Sequence, residues 1–240
     1  MLLVFAAAFL EGSIGFDFGL IAAPALGAIL GVRNAVILLC LPNLAIGILR
    51  VSGWKIPPDP LRRLMPFIGA GGVGAAIGVF ALLATPPIVL KWFVGILVLL
   101  CAAYSFSKFR FQLDMRDEAF FAYLGGVLSG WLSGIAYLGS PLIVIYLDSL
   151  EISRSRLAKM MHVSVLAFAG IQVAALSGTG NLPLPAAMRA LIAVLPALVG
   201  FVLGRRIRGL VSPEVGYTLG LFFMVAAAIS LLIFGPGGWR

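Results

Sequence analysis

Glu11, Asp17 and His162 are the ionisable side chains lying well inside apolar stretches of the sequence, and any chemistry within those stretches starts with them. An ionised carboxylate in mid-bilayer costs about 2.5–3.5 kcal/mol even on a lenient insertion scale. Asp17, in GSIGFDFG at residues 12–19, must therefore face protein or water, or carry a proton. It reads either as a substrate-contacting or proton-carrying group or as the N-cap of a helix opening at FGLIAAPAL, and the two roles are compatible. Glu11, one to two turns upstream, reads as an acid nearer the surface that snorkels or caps. His162, in KMMHVSVLAF, is the single histidine and either shuttles protons or packs, with no acid near it in sequence. Ser133 in GWLSG and His162 would give a Ser–His pair for an intramembrane hydrolase, a rival for which no oxyanion-hole donors are identifiable.

The segments that must position these groups are apolar. Of 240 residues 62% are hydrophobic and 11% charged, with a mean hydropathy of +1.12. Apolar runs of bilayer-spanning length recur from end to end, which predicts an all-α integral membrane protein. The net charge of +8 belongs to loops beside spans and to anionic lipid, not to nucleic acid, for which no basic aromatic-rich module exists. Cys40 and Cys101 fall inside apolar runs, far from any CxxC spacing, so neither a disulfide framework nor a metal site is indicated, and no cofactor is expected. The N-terminus lacks a basic n-region and reads as a first membrane segment rather than a cleaved signal peptide.

The hydrophobic blocks cover about 2–30, 34–51, 64–84, 88–106, 119–147, 157–176, 186–203 and 215–234. Blocks 2–30 and 119–147 are too long for one straight span of a ~30 Å core and are interrupted by glycine. Each is followed by a basic, small-residue turn and three further blocks, so the chain reads as a duplication: a first half at 1–107, a basic connecting loop at 108–118 and a second half at 119–240. If all eight blocks span, Lys and Arg divide nine to eight and give no orientation. If the two long blocks are re-entrant hairpins, the division becomes thirteen to four, the halves are inverted, and both termini lie outside.

Gly12, Gly15, Gly19, Gly126, Gly130, Gly134 and Gly139 suit either close helix packing or helix breaks that expose backbone N–H groups. In GIAYLGSP at 134–141, Pro141 fits a helix first turn, and such a start aims a positive dipole end inward as an anion site. Phe18 to Leu20 would do the same from the other half. Pro42 frees a backbone carbonyl that Asn43 can rescue; Asn43 can also bond across helices or contact substrate.

GSIGFDFGLIAAPAL resembles the opening motif of the sulfite exporter TauE/SafE family of bacterial membrane transporters, in which Gly12, Gly15, Phe16, Phe18, Gly19, Leu20 and Pro24 match a G-x-x-G-F-G-F-G-L-x-x-x-P pattern. Gly134, Gly139 and Pro141 fit the family's second glycine-rich segment. The resemblance implies movement of small, often sulfur-containing anions such as sulfite or sulfonates, without ATP hydrolysis, in the bacterial inner membrane. Asp17 stands where that pattern has glycine, and Ser140 adds a hydroxyl where glycine is usual. An ionised Asp17 would repel an anion by several kcal/mol at low dielectric, so either it is protonated during transport or the ligand is not the usual anion.

The expectation is therefore a secondary transporter working by alternating access. Gly15, Phe18, Gly19, Asn43, Gly134, Gly139 and Ser140 would contact the substrate anion, and Asp17 and His162 would couple protons. The rival readings are a cation or metal carrier using Glu11 and Asp17, or an uncoupled channel. The sequence is compatible with a homo-oligomer.

Overall fold

The computed structural model describes residues 1–52, 58–106, 118–150, 154–210 and 212–236. Those residues form ten α-helices and no strand. They are α1 (Leu2–Ile14), α2 (Phe18–Leu30), α3 (Val32–Val51), α4 (Pro58–Ala84), α5 (Pro87–Phe106), α6 (Glu118–Ala136), α7 (Ser140–Asp148), α8 (Arg154–Gly178), α9 (Leu184–Ile207) and α10 (Pro213–Phe234). Seven of them, α3–α6 and α8–α10, carry stretches long and apolar enough to cross a membrane. Their outward faces present large apolar side chains such as Phe80, Leu195 and Phe222, as lipid requires. Most of the connecting loop at 108–118 lies outside the described residues, as do Lys55 and Arg240.

Each long block is two helices, and each folds back on itself. Gly15 takes a left-handed φ of 83° to end α1, and Tyr137 does the same at 61° after α6. α6 runs parallel to α4: Gly126 lies against the carbonyl of Phe67, Gly130 against Gly71 and Gly134 against Ala75 and Gly78. α7 then returns, because Tyr146 stacks on Phe67 with ring centroids 4.4 Å apart, back beside the early turns of α6. α1 likewise runs parallel to α9, with Phe5 beside Gly200, Phe9 beside Gly204 and Gly15 beside Arg208. α2 turns back along α10, Gly27 meeting Leu231 and Gly31 meeting Pro236. A Cβ on Gly12, Gly130 or Gly134 would strike backbone of the facing helix, so these glycines serve close packing.

The hairpins open toward opposite ends of the bundle. Gly31, at the exit of the first, adjoins Arg33, which donates to the carbonyls of Leu82, Leu83 and Thr85 where α4 ends. Glu118, at the entrance of the second, pairs with Arg63 near the start of α4 at 2.5 and 2.6 Å. Basic residues gather at that second end: Arg50, Arg62, Arg63, Arg154, Arg156, Lys159, Arg205, Arg206 and Arg208, against Arg33, Lys91 and Arg189 at the other, among the described residues. Pairing between helices follows one rule. α1 lies on α9 as α6 lies on α4, and α3 touches α9 as α8 touches α4. α3 and α8, between the hairpins, pack antiparallel, with Gly47 against Leu166.

Candidate functional site

The turns of the two hairpins meet. Gly19, in the first turn of α2, packs so closely on Tyr137 that a Cβ there would collide with the tyrosine. The Tyr137 hydroxyl donates to the Val36 carbonyl of α3 at 2.9 Å and fixes the second turn in its unusual conformation. Two small cavities adjoin this meeting point and share Asp17, Asn43 and Val165 as lining. One extends to Glu11, Arg50 and His162, the other to Ser133, Ser140 and Gln172.

Asp17 is the N-cap of α2, its Oδ1 accepting from the Gly19 N–H at 3.1 Å. A cap of this kind satisfies one of the four donors that a helix start leaves open. α7 starts differently. Gly139 precedes it with no side-chain cap, and the Ser140 hydroxyl is buried without a hydrogen-bond partner. Gln172 of α8 donates to the Gly134 carbonyl at 3.1 Å, satisfying an acceptor exposed where α6 ends.

Glu11 does not lie near the surface as its sequence position suggested. It is 2% exposed and forms an ion pair with Arg50, while its Oε2 is buried without a hydrogen-bond partner. The last turn of α1 packs on α9 through Gly12 and on α10 through Ile14, and the Glu11 side chain reaches across to Arg50 of α3. Arg50 Nη1 lies 3.1 Å from His162 Nδ1, and its guanidinium sits 5.7 Å from the centre of the Phe201 ring. A guanidinium can only donate, so His162 Nδ1 accepts and the imidazole holds its proton on Nε2.

The residues singled out from sequence fall into two groups. Asp17, Asn43, Ser140 and His162 line the cavities. Gly19 and Gly139 lie at the hairpin turns, Gly139 closed over Ser129 and Ser133. Phe18 is fully buried in the core, Gly15 faces the Arg208 guanidinium, and Gly134 is taken up by the seam with α4. Ser133 and His162 line different cavities. Sequence reasoning did not select Arg50, Tyr137 or Gln172. Arg50 passes for a topology-setting charge at a helix end, and the polar Gln172 within an apolar helix was the one available signal for its position.

No curated protein and no solved structure matches the chain. The family model described as sulfite exporter TauE/SafE matches residues 1–231, nearly the whole length, and includes both hairpins, both cavities and the long helices around them. The chain is therefore a multi-pass membrane protein that belongs to the sulfite exporter TauE/SafE family of transporters.

Proposed function

We propose that the chain is a secondary transporter that moves a small anion, sulfite or a sulfonate, across the bacterial inner membrane with protons. The observation that carries this reading is the convergence of two helix starts, those of α2 and α7, on adjoining cavities, one of which also reaches Arg50. Helix N-termini present free N–H groups and the positive ends of their dipoles, which favours an anion. Asn43 and the unpartnered Ser140 hydroxyl add neutral donors.

The end rich in arginine would face the cytoplasm by the positive-inside bias. The halves 1–107 and 119–240 would be inverted repeats that rock about the meeting point of the hairpins. Asp17, negative when ionised, would repel an anion held beside it, and taking up a proton would remove that repulsion. His162, already hydrogen-bonded to Arg50, would accept a proton only once that contact opens. A cation carrier is less well supported, because Glu11 is already matched by Arg50 and a cation would face that guanidinium.

Flux in proteoliposomes tests the reading. Sulfite movement driven by a pH gradient, with Asp17→Asn still carrying sulfite but responding less to the gradient, is the expected result. Movement of divalent metal without movement of sulfite would overturn it.

A further inference from the structure

Among the described residues, Arg50 is the one guanidinium that lines the two cavities between the hairpins, and in this conformation it is already engaged by an anion of the protein itself. Glu11 comes from α1 and Arg50 from the last turn of α3, so the pair joins the tip of a hairpin to a long helix. Burying two charges costs several kcal/mol per ion, and the pair repays that only if the remaining hydrogen-bonding sites are also satisfied. Here they are not. Glu11 Oε2 is buried without a hydrogen-bond partner while Oε1 holds Arg50. Ser140, lining the adjoining cavity, has its hydroxyl idle as well. A pair kept only for stability would not leave Oε2 idle. A pair that must open leaves Oε2 as the place for a proton.

We infer that Glu11 is an internal stand-in for the transported anion: it neutralises Arg50 when the site is empty, and substrate takes its place on the guanidinium as Glu11 accepts a proton. Charge balances in the exchange, since the incoming anion replaces one carboxylate charge and one proton neutralises that carboxylate on Oε2. The groups facing Glu11 are Arg50 from α3, Asp17 from the hairpin turn, the Phe18 N–H at the start of α2 and His162 from α8, with Arg208 beyond α9 lying beside Gly15 and acting on His162. The guanidinium of Arg50 would then turn from Glu11 toward the cavity bordered by Asn43 and Ser140, and His162 Nδ1 would steer that swing as an acceptor. This rests on the anion-transport reading and adds to it the residue that binds the anion and the residue that releases it.

Calorimetric binding of sulfite to the purified full-length protein, repeated in buffers of different ionisation enthalpy, counts protons taken up on binding. The wild type is expected to take up about one more proton than Glu11→Gln; the titration of sulfite itself is common to both and cancels. Glu11→Gln is expected to bind sulfite about tenfold more tightly at neutral pH, because it no longer competes for Arg50, and Arg50→Gln at least about tenfold more weakly. The double variant Glu11→Gln/Arg50→Gln contains no buried unpaired charge at this position and is expected to fold and to lose sulfite binding. Equal proton uptake by wild type and Glu11→Gln, or a double variant that binds sulfite as tightly as wild type, overturns the inference and leaves anion transport standing. A wild type that binds neither sulfite nor a sulfonate at any pH overturns both.

Discussion

The first hairpin turns through Gly15, Phe16 and Asp17, the second through Tyr137, Leu138 and Gly139, and the two meet the same backbone demands with opposite chemistry. The left-handed position is free of strain in one, where glycine occupies it, and costly in the other, where tyrosine does. The second turn recovers that cost through the Tyr137 hydroxyl bond to α3. The helix start that follows is capped by a carboxylate in the first hairpin and by no side chain in the second. One tip thus carries its own carboxyl cap and the other has none. On the proposed reading the anion would sit toward the second tip, and Asp17 and Glu11 would make the first tip the proton-responsive one.

The comparison breaks most sharply at the seams. Gly130→Leu drives a side chain into the Gly71 carbonyl, and Gly12→Leu into the Phe201 carbonyl. Overpacking costs about 1–3 kcal/mol and occasionally more, and here facing backbone must move, so both variants should show large losses in thermal unfolding. A silent Gly12→Leu would mean that the first seam is not the counterpart of the second. At the turns, Tyr137→Phe should cost about 1 kcal/mol through the lost bond to Val36. Asp17→Ala should cost about 1 kcal/mol for its cap, while Ser140→Ala should leave stability unchanged or slightly raised and weaken sulfite binding severalfold. A destabilised Ser140→Ala would show that the second helix start is not open. The smallest effect belongs to the hairpin entrance. Arg63 and Glu118 are 49% and 34% exposed, so Glu118→Gln should cost less than about 1 kcal/mol in unfolding measurements, even with its two-point geometry.

Much of this could be read from local features. Length against bilayer thickness marked 2–30 and 119–147 as either strongly tilted or broken, and they are broken, at Gly15–Asp17 and 137–139. Asp17 before an apolar run signalled a cap, which it is. Partnership was not legible. Glu11 and Arg50 are 39 positions apart with a helix and a turn between them, and no periodicity links them. Glycine spacing likewise serves packing or breaking with equal ease. Only the neighbour decides, and for Gly134 it is α4.

The seating of α1 on α9 has a consequence for how the protein is made. Ribosomes deliver α1 well before α9, yet the surface against which its glycine and small-residue face closes lies at 200–205 of α9. Until α9 is synthesised, the newly inserted hairpin lacks its long-range partner, whereas α6 meets α4 as soon as it leaves the ribosome. The second hairpin can therefore dock during translation, and the first must wait for nearly the whole chain. Glu11 meets Arg50 much earlier than it meets the α9 wall, so the ion pair is available to hold the unfinished hairpin in the membrane interior during that interval.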